Sequence, residues 1–204
     1  MEDRDWSSIG SISGPLANNK LFIDDTGGLS VAEIKAKAKK IKLQHGLDLI
    51  IIDYLQLMVG KGENRTQEVS GISRGLKQIA KDLDITILVL SQLSRAPEAR
   101  TDHRPKLADL RESGSIEQDA DLVWFLYRDE YYNSETEDKN IAECIFAKNR
   151  NGRVGTIKLA WLGQFQLFGQ LDYVHEGSFN PSIFENNESE TKVKNKQEVM
   201  DLEK

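Results

Sequence analysis

The chain has 204 residues, a formal charge of −6 and 39% hydrophobic residues, enough for one domain of ordinary size with a modest core. The acidic balance excludes a protein that coats nucleic acid by bulk charge, so any nucleic-acid contact has to come from local basic loops. No apolar run reaches the roughly 18 residues of a membrane helix, the start Met-Glu-Asp-Arg-Asp-Trp is not a leader, and the single cysteine, Cys144, allows no intrachain disulfide and fits a reducing cytosol.

Residues 1–19 read as a short helix broken at Gly14-Pro15. Leu21-Phe22-Ile23 reads as a short strand closed by Asp24-Asp25. Ser30 and Glu33 have the spacing of a capping box. They open a helix with Val31, Ile34, Ala38 and Ile41 on one stripe and Gly46 as its stop. Lys35, Lys37, Lys39, Lys40 and Lys42 lie largely off the stripe, as a solvated face rather than an anion site.

Asp48–Asp53 is Asp-Leu-Ile-Ile-Ile-Asp, followed by Tyr-Leu-Gln-Leu. Its apolar run is too short for a helix and predicts a central parallel strand buried on both faces. Such a strand presents its last residue, Asp53, at the carboxyl edge where α/β sheets bind ligands. There it either orients Mg²⁺ through water beside phosphates or simply caps the next turn. After Gly60-Lys61-Gly62, a helix from about Glu63 to Leu83 carries Val69, Ile72, Leu76, Ile79 and Leu83 at 3-4-3-4 spacing. Gly71 and Gly75 each weaken it by about 1 kcal/mol relative to Ala, and mark either close packing or a bend. Ile85–Leu90 is a second buried strand, giving a strand–helix–strand crossover. If the strands are neighbours, Gln92 faces the same crevice as Asp53. Its amide either hydrogen-bonds a water or phosphate oxygen or satisfies loop backbone.

Residues 93–114 form a long polar loop with Arg95, Arg100, Arg104, Lys106 and Arg111, of the length that is usually functional or mobile. A second capping-box pattern, Ser115-Ile116-Glu117-Gln118, predicts a short helix whose free amides, with Gly114 and Arg111, form a phosphate seat. Glu112, Glu117, Asp119 and Asp121 crowd that seat and make it selective by geometry. Leu122–Leu126 reads as a third buried strand, and Ile141–Ala147 with Thr156–Leu162 as a hairpin turning at Asn151-Gly152. Lys148 and Arg150 share one strand face at a spacing of about 7 Å, with Arg153 beyond the turn and no acid close by in sequence. They are either a charged edge that keeps the sheet soluble or a cationic finger directed at a phosphate outside its own subunit. Phe165–Leu171 reads as a last strand. Residues 177–204 are a polar segment, read as a disordered tail. His45, His103 and His175 give no zinc spacing.

At Leu49–Leu57, Ile87–Arg95, Asp109–Asp121 (Asp-Leu-Arg-Glu-Ser-Gly-Ser-Ile-Glu-Gln-Asp-Ala-Asp) and Phe146–Gly152, the chain resembles the bacterial replicative hexameric helicases of the DnaB type. The motifs are long, in order and spread over roughly residues 1–170. The resemblance implies an α/β fold, a RecA-like mostly parallel sheet flanked by helices with a C-terminal β-hairpin. Residues 1–176 would be part of the motor domain. It implies ATP hydrolysis with Mg²⁺ and 5′-to-3′ movement on single-stranded DNA, by a cytoplasmic homo-hexamer with primase and a helicase loader as partners.

Residue by residue, Asp53 is similar to the Walker B acid that holds Mg²⁺, and Gln92 to the residue linking phosphate state to the DNA loops. Arg111, Glu112, Ser113 and Gly114 lie in the segment similar to the family's DNA-backbone contact loop. Lys148 and Arg150 are similar to the pair inserted into the neighbouring subunit's ATP site, with Arg150 as arginine finger. One departure is large: no Gly-x-x-x-x-Gly-Lys-[Ser/Thr] occurs in the chain. The phosphate-loop strand and helix, the catalytic Glu after them and the N-terminal domain are expected to be missing. Two functional readings follow. The chain is either a C-terminal helicase fragment, inactive alone, or a non-catalytic module that binds single-stranded DNA or supplies Arg150 in trans.

Overall fold

The structure is a computed structural model, and it describes residues 3–110 and 114–171. The polar tail expected at 177–204 lies outside the described residues, as do Arg111, Glu112 and Ser113. Contacts divide the chain into two compact units, the first holding the described residues up to Phe125 with Phe146–Val154, the second Leu126–Ile145 and the described residues from Gly155 onward. Among the described residues, no helix is long and apolar enough to cross a membrane.

In the first unit, α1 (Asp3–Ala17) continues through Pro15 instead of breaking at Gly14-Pro15. Only Leu16 and Ala17 follow the proline inside the helix, so few helical hydrogen bonds remain to be lost. Leu21–Ile23 forms no strand. Ile23 stands 85% exposed, and an isolated three-residue run has no neighbouring strand to supply its hydrogen bonds. α2 (Val31–His45) opens on the expected box: the Ser30 hydroxyl accepts from the Glu33 amide, and the Glu33 carboxylate accepts from the Ser30 amide at 2.8 Å. At its other end Gly46, at φ 80°, donates to the Lys42 carbonyl.

β1 (Leu49–Ile52) and β2 (Thr86–Val89) pair in parallel, from Leu49 opposite Thr86 to Ile52 opposite Val89. α3 (Arg65–Leu83) connects them, with its N-cap Asn64 accepting from the Gln67 amide. The stripe Val69, Ile72, Leu76 and Ile79 is buried, as its spacing predicts. With Ile34, Leu55 and Met58 it forms the core against which Ile52, Ile87 and Val89 pack. The two strands are covered on one face rather than both. Leu49 and Ile51 are 47% and 59% exposed, and Leu88 and Leu90 also face out. A parallel strand buries both faces only where helices lie on both, and among the described residues the core covers one.

The two helical glycines separate into different cases. A Cβ on Gly75 would sit 2.6 Å from Val31 Cγ1, so this glycine lets α2 and α3 approach closely. A Cβ on Gly71 would meet nothing nearer than the Lys61 carbonyl at 3.9 Å. The short α4 (Gly114–Asp119) begins at Gly114, not at Ser115. The Ser115 hydroxyl bonds Ser70 Oγ on α3 at 2.9 Å, and Asp119 accepts from Ser73 at 2.7 Å.

β3 (Leu122–Tyr127), β4 (Ile141–Asn149), β5 (Gly155–Leu162) and β6 (Leu167–Gly169) form a four-stranded sheet in that order. β3 alternates strictly, with Val123, Phe125 and Tyr127 buried and Leu122, Trp124 and Leu126 exposed. It is therefore a half-buried strand and not one buried on both faces. The β4–β5 link spans residues 150–154 rather than a two-residue Asn-Gly turn. Neither Asn151 nor Gly152 has a positive φ, which the two-residue turn requires. Asn149 organises the longer link: its side chain accepts from the Asn151 amide at 3.1 Å and donates to the Arg153 carbonyl at 3.3 Å. In the second unit, Arg128 lies over the Trp161 ring at 4.9 Å, and Trp161 packs on Phe168 at 4.7 Å.

Candidate functional site

Asp53 directly follows the last residue of β1 and is exposed. It receives no hydrogen bond or ion pair from the described residues, so its carboxylate does not serve as a turn cap. The one-turn helix Leu55–Leu57 then folds back across the sheet edge. The Leu55 amide donates to the Leu90 carbonyl at 2.9 Å, and the Leu90 amide to the Ile52 carbonyl at 3.0 Å. The exits of β1 and β2 are thereby tied together, and Asp53 and Gln92 both lie beyond the carboxyl ends of paired parallel strands.

Gln56 supplies what the sequence reading missed. Its amide nitrogen donates to Ser91 Oγ at 3.2 Å and to the Gln92 carbonyl at 3.3 Å. Its amide oxygen accepts from the Gln92 backbone N–H at 3.2 Å. Gln56 therefore satisfies the loop backbone, and the Gln92 side chain is left exposed. Gln56 is itself held from α3: Arg65 donates to its carbonyl at 2.8 Å and pairs with Glu68 at 2.9 Å. The signal in the sequence was a lone amide between Leu55 and Leu57, three residues past Asp53.

Asp53 is a single open carboxylate, and among the described residues no group of three or more His, Cys, Asp or Glu could hold a metal. This donor set fits Mg²⁺, which keeps most of its waters and takes one or two carboxylates together with substrate phosphates. It does not fit a closed structural zinc site.

The long loop after Gln92 is ordered by its own side chains. The Ser94 amide donates to the Asp109 carbonyl at 2.9 Å and closes the loop at its base. Asp109 is 1% exposed, and Arg100 grips both its oxygens, Nη1 to Oδ1 at 2.8 Å and Nη2 to Oδ2 at 2.5 Å. The Lys106 amide adds a bond to Oδ2 at 2.7 Å. The Arg100 guanidinium holds the Asp109 carboxyl below the usual carboxylate range. Arg100 is thus a structural cation, not a free one. Of the expected nucleic-acid residues, Arg111, Glu112 and Ser113 lie outside the described residues, and Gly114 stands exposed at the start of α4, where a Cβ would meet nothing within 4 Å among the described residues.

The cations at the β4 end do have partners in their own chain, which corrects the expectation of a tip without a nearby acid. Lys148 Nζ donates to the Glu117 carbonyl and Arg150 Nη2 to the Gln118 carbonyl, in the last turn of α4. Arg150 Nη1 also lies 3.7 Å from Asp121 Oδ1, and the Arg150 amide donates to the Asp121 carbonyl at 2.9 Å. Sequence spacing could not reveal this, because Asp121 is brought in by the fold from about thirty residues away. Lys77, Arg150 and Lys148 together lower the Asp121 carboxyl, with the Lys77 hydrogen bond foremost. Among the described residues, no hydrogen bond or ion pair joins Lys148 or Arg150 to Asp53 or Gln92.

A parallel strand pair joined by a helix, with Asp53 and Gln92 beyond its carboxyl ends, places the chain in the class of α/β domains. Within that class, the chain belongs to the family described as DnaB-like helicase C terminal domain, whose model matches residues 1–170. It is 53% identical over 175 residues to the replicative DNA helicase DnaC of Bacillus subtilis (strain 168), covering 84% of this chain and 38% of that protein. It is 52% identical over 171 residues to the replicative DNA helicase DnaB of Geobacillus stearothermophilus, covering 82% and 38%. Among solved structures, it is similar to a DnaB-like replicative helicase described with its interactions with primase, with TM-score 0.77 and 45% identity over 82% of this chain and 42% of that one. It is also similar to a separately solved ATPase domain, with TM-score 0.78 and 45% identity over 82% and 61%. The chain thus spans 38% of the length of these curated relatives.

Proposed function

We propose that this chain supplies the C-terminal part of a replicative helicase motor, which hydrolyses ATP to move 5′ to 3′ on single-stranded DNA as a hexamer. Asp53 would hold Mg²⁺ at the nucleotide phosphates, and Gln92 would hydrogen-bond the terminal phosphate or the attacking water. Arg111, Glu112, Ser113 and Gly114 meet the DNA backbone. Lys148 and Arg150 reach the ATP of a neighbouring subunit and neutralise the charge that develops in the transition state. Primase and a loader are the expected partners of the assembled helicase.

The observation that carries this reading is the tied pair of strand exits, with the open Asp53 carboxylate on one and Gln92, its backbone held by Gln56, on the other. When bound, Mg²⁺ would neutralise phosphate charge at Asp53. The chain carries no glycine-rich phosphate loop of its own, so most of the backbone cradle for the phosphates has to come from elsewhere. The purified chain is therefore expected to bind Mg-ATP poorly and to turn over none, with or without single-stranded DNA. The test is steady-state ATP hydrolysis by the chain and by Asp53→Asn. Turnover that Asp53→Asn abolishes would mean that the chain holds a complete site, and would overturn the inactivity of the fragment.

A further inference from the structure

Asp121, between α4 and β3, stands against two cations from different elements. Lys77 of α3 takes its Oδ2 oxygen in a hydrogen-bonded ion pair. Arg150, just past β4, brings Nη1 to the other oxygen, Oδ1, at 3.7 Å, which is beyond hydrogen-bond reach. Its Nη2 donates instead to the Gln118 carbonyl. The carboxylate is therefore shared unequally, and the lysine holds the larger part. α3 fixes this side of the arrangement. Ser70, Ser73 and Lys77 follow one another at spacings of three and four and so share one helix face. They bond Ser115, Asp119 and Asp121 respectively. Asp121 is the last contact in a row that ties α4 and the residues after it to α3.

An arginine holds a carboxylate most firmly as a fork, with two parallel N–H···O bonds to both oxygens. With Lys77 on Oδ2, Asp121 has one oxygen left to offer, and the fork does not close. We infer that Lys77 is a positioning residue that keeps Asp121 from trapping Arg150, so that Arg150 stays releasable toward a phosphate, an inference that rests on the finger role proposed for Arg150. Removing the ammonium group would free Oδ2 and leave Asp121 beside Arg150 Nη1. It would also leave the carboxylate with one fewer cation to neutralise it, which strengthens its pull on Arg150. Lys77 acts through Asp121, by occupying the oxygen that the fork needs.

The test compares the full chain with Lys77→Met, Lys77→Arg and Lys77→Met/Asp121→Asn. Methionine keeps the helix propensity of lysine and an unbranched apolar stem; Lys77→Leu serves as the second variant if Lys77→Met does not fold. The readout is rotation about the Arg150 Nε–Cζ bond, from ¹⁵N NMR of the guanidinium, with the signal assigned by its loss in Arg150→Ala. A half-exposed pair of this kind shifts populations by up to about fivefold, so rotation should slow by up to that factor in Lys77→Met. The wild-type rate should return when Asp121→Asn is added, and Lys77→Arg, which keeps a cation on Asp121, should stay near it. An unchanged rate in Lys77→Met would overturn the inference. So would a slowing that survives Asp121→Asn, or one shared by the other arginines, which is what a merely structural lysine would give. In a complete helicase, Lys77→Met should lower ATP turnover by up to about fivefold, and adding Asp121→Asn should restore it. Turnover that stays normal in Lys77→Met while Arg150→Ala is impaired, or a loss that Asp121→Asn does not restore, would count against the block. Full turnover by Arg150→Ala would remove the finger role instead, while the rotation rates in the isolated chain still decide whether Lys77 keeps the fork open.

Discussion

Gly71 and Gly75 occupy the same helix four residues apart, and the same substitution should shift stability by different amounts at each. Replacing either by Ala removes the conformational cost of glycine and gains about 0.5–1 kcal/mol of helix stability. At Gly71 nothing opposes this gain, since the new methyl finds its nearest neighbour 3.9 Å away. At Gly75 the methyl would lie 2.6 Å from Val31 Cγ1 and 3.2 Å from Cγ2. Val31 is β-branched and sits in the first turn of α2, where its χ1 has little freedom to turn away. Relief requires the helices to separate, and overpacking of this kind costs about 1–3 kcal/mol. The propensity gain is common to both sites, so the difference between the variants isolates the packing cost, about 2 kcal/mol at its midpoint. Urea unfolding measures it directly: at a slope of about 2 kcal/mol per molar, the midpoints should differ by about 1 M. Val31→Ala should remove the clash, so the double variant Gly75→Ala/Val31→Ala should show favourable coupling between the two sites. Equal midpoints for Gly71→Ala and Gly75→Ala would refute the close approach of α2 and α3.

Acid should act on the chain partly through Asp109. Its folded-state carboxyl is lowered by Arg100, so its contribution is fully present above the unfolded-state value of about 4 and is lost as pH falls through the folded one. Asp109→Asn should therefore flatten the fall in unfolding free energy below about pH 4; an unchanged acid slope would show that the pair is not formed. Arg150→Ala should change the stability of the chain by no more than about 1 kcal/mol, because Arg150 and Asp121 are both half exposed. The same variant, placed in a complete helicase, should lower ATP turnover by about a thousandfold or more if Arg150 acts as a finger, and normal turnover would remove that role. Gln56→Ala should speed exchange of the Gln92 amide, which loses its only acceptor among the described residues, while the β1–β2 ladder keeps its rates.

Where the sequence carried a period or a local rule, it was readable. The 3-4 spacing of Val69, Ile72, Leu76 and Ile79 and the Ser30–Glu33 box are properties of a few adjacent residues, and both are in place. The family was legible for a similar reason: its motifs are contiguous runs, and the chain matches the family model over residues 1–170. Most of what failed depends on residues outside the run being read. An apolar run such as Leu49–Ile52 reads the same whether one face or both are covered. The Asn151-Gly152 signal is local, but Asn149 sets a different local bond pattern, and the longer link forms. Gln56 and Asp109 were passed over because each is a single polar residue whose partners lie 36 and 9 positions away. The proposed role of Asp53 rested on its place at a strand end, and its exposure beyond β1 is consistent with that place.

The cations Lys148 and Arg150 at the end of β4 raise a question of balance rather than of placement. Arg150 is bonded in cis to the Gln118 carbonyl and lies near Asp121, and Lys148 to the Glu117 carbonyl. A finger must give these up to serve a neighbouring subunit. The contacts are of the kind that gives way easily. Arg150 and Asp121 are 48% and 50% exposed, and an exposed ion pair contributes about 0–1 kcal/mol. Cations at a helix C-terminus gain a further increment of about 0.3–1 kcal/mol, shared here between two side chains at the end of a six-residue helix. A polyphosphate offers a bidentate partner with more than one negative charge in a water-poor interface, where charge-assisted bonds are stronger. If Arg150 acts as a finger, the exchange should favour the phosphate whenever a neighbour presents one. In its absence the cis contacts hold the Arg150 side chain, so less side-chain freedom would be lost on transfer. Asp121→Asn tests this: it leaves the carbonyl contacts and removes the acid. If the cis pair only stores the finger, the variant should leave turnover of an assembled helicase within a few-fold of wild type, whereas a large loss would give Asp121 a role in the reaction itself.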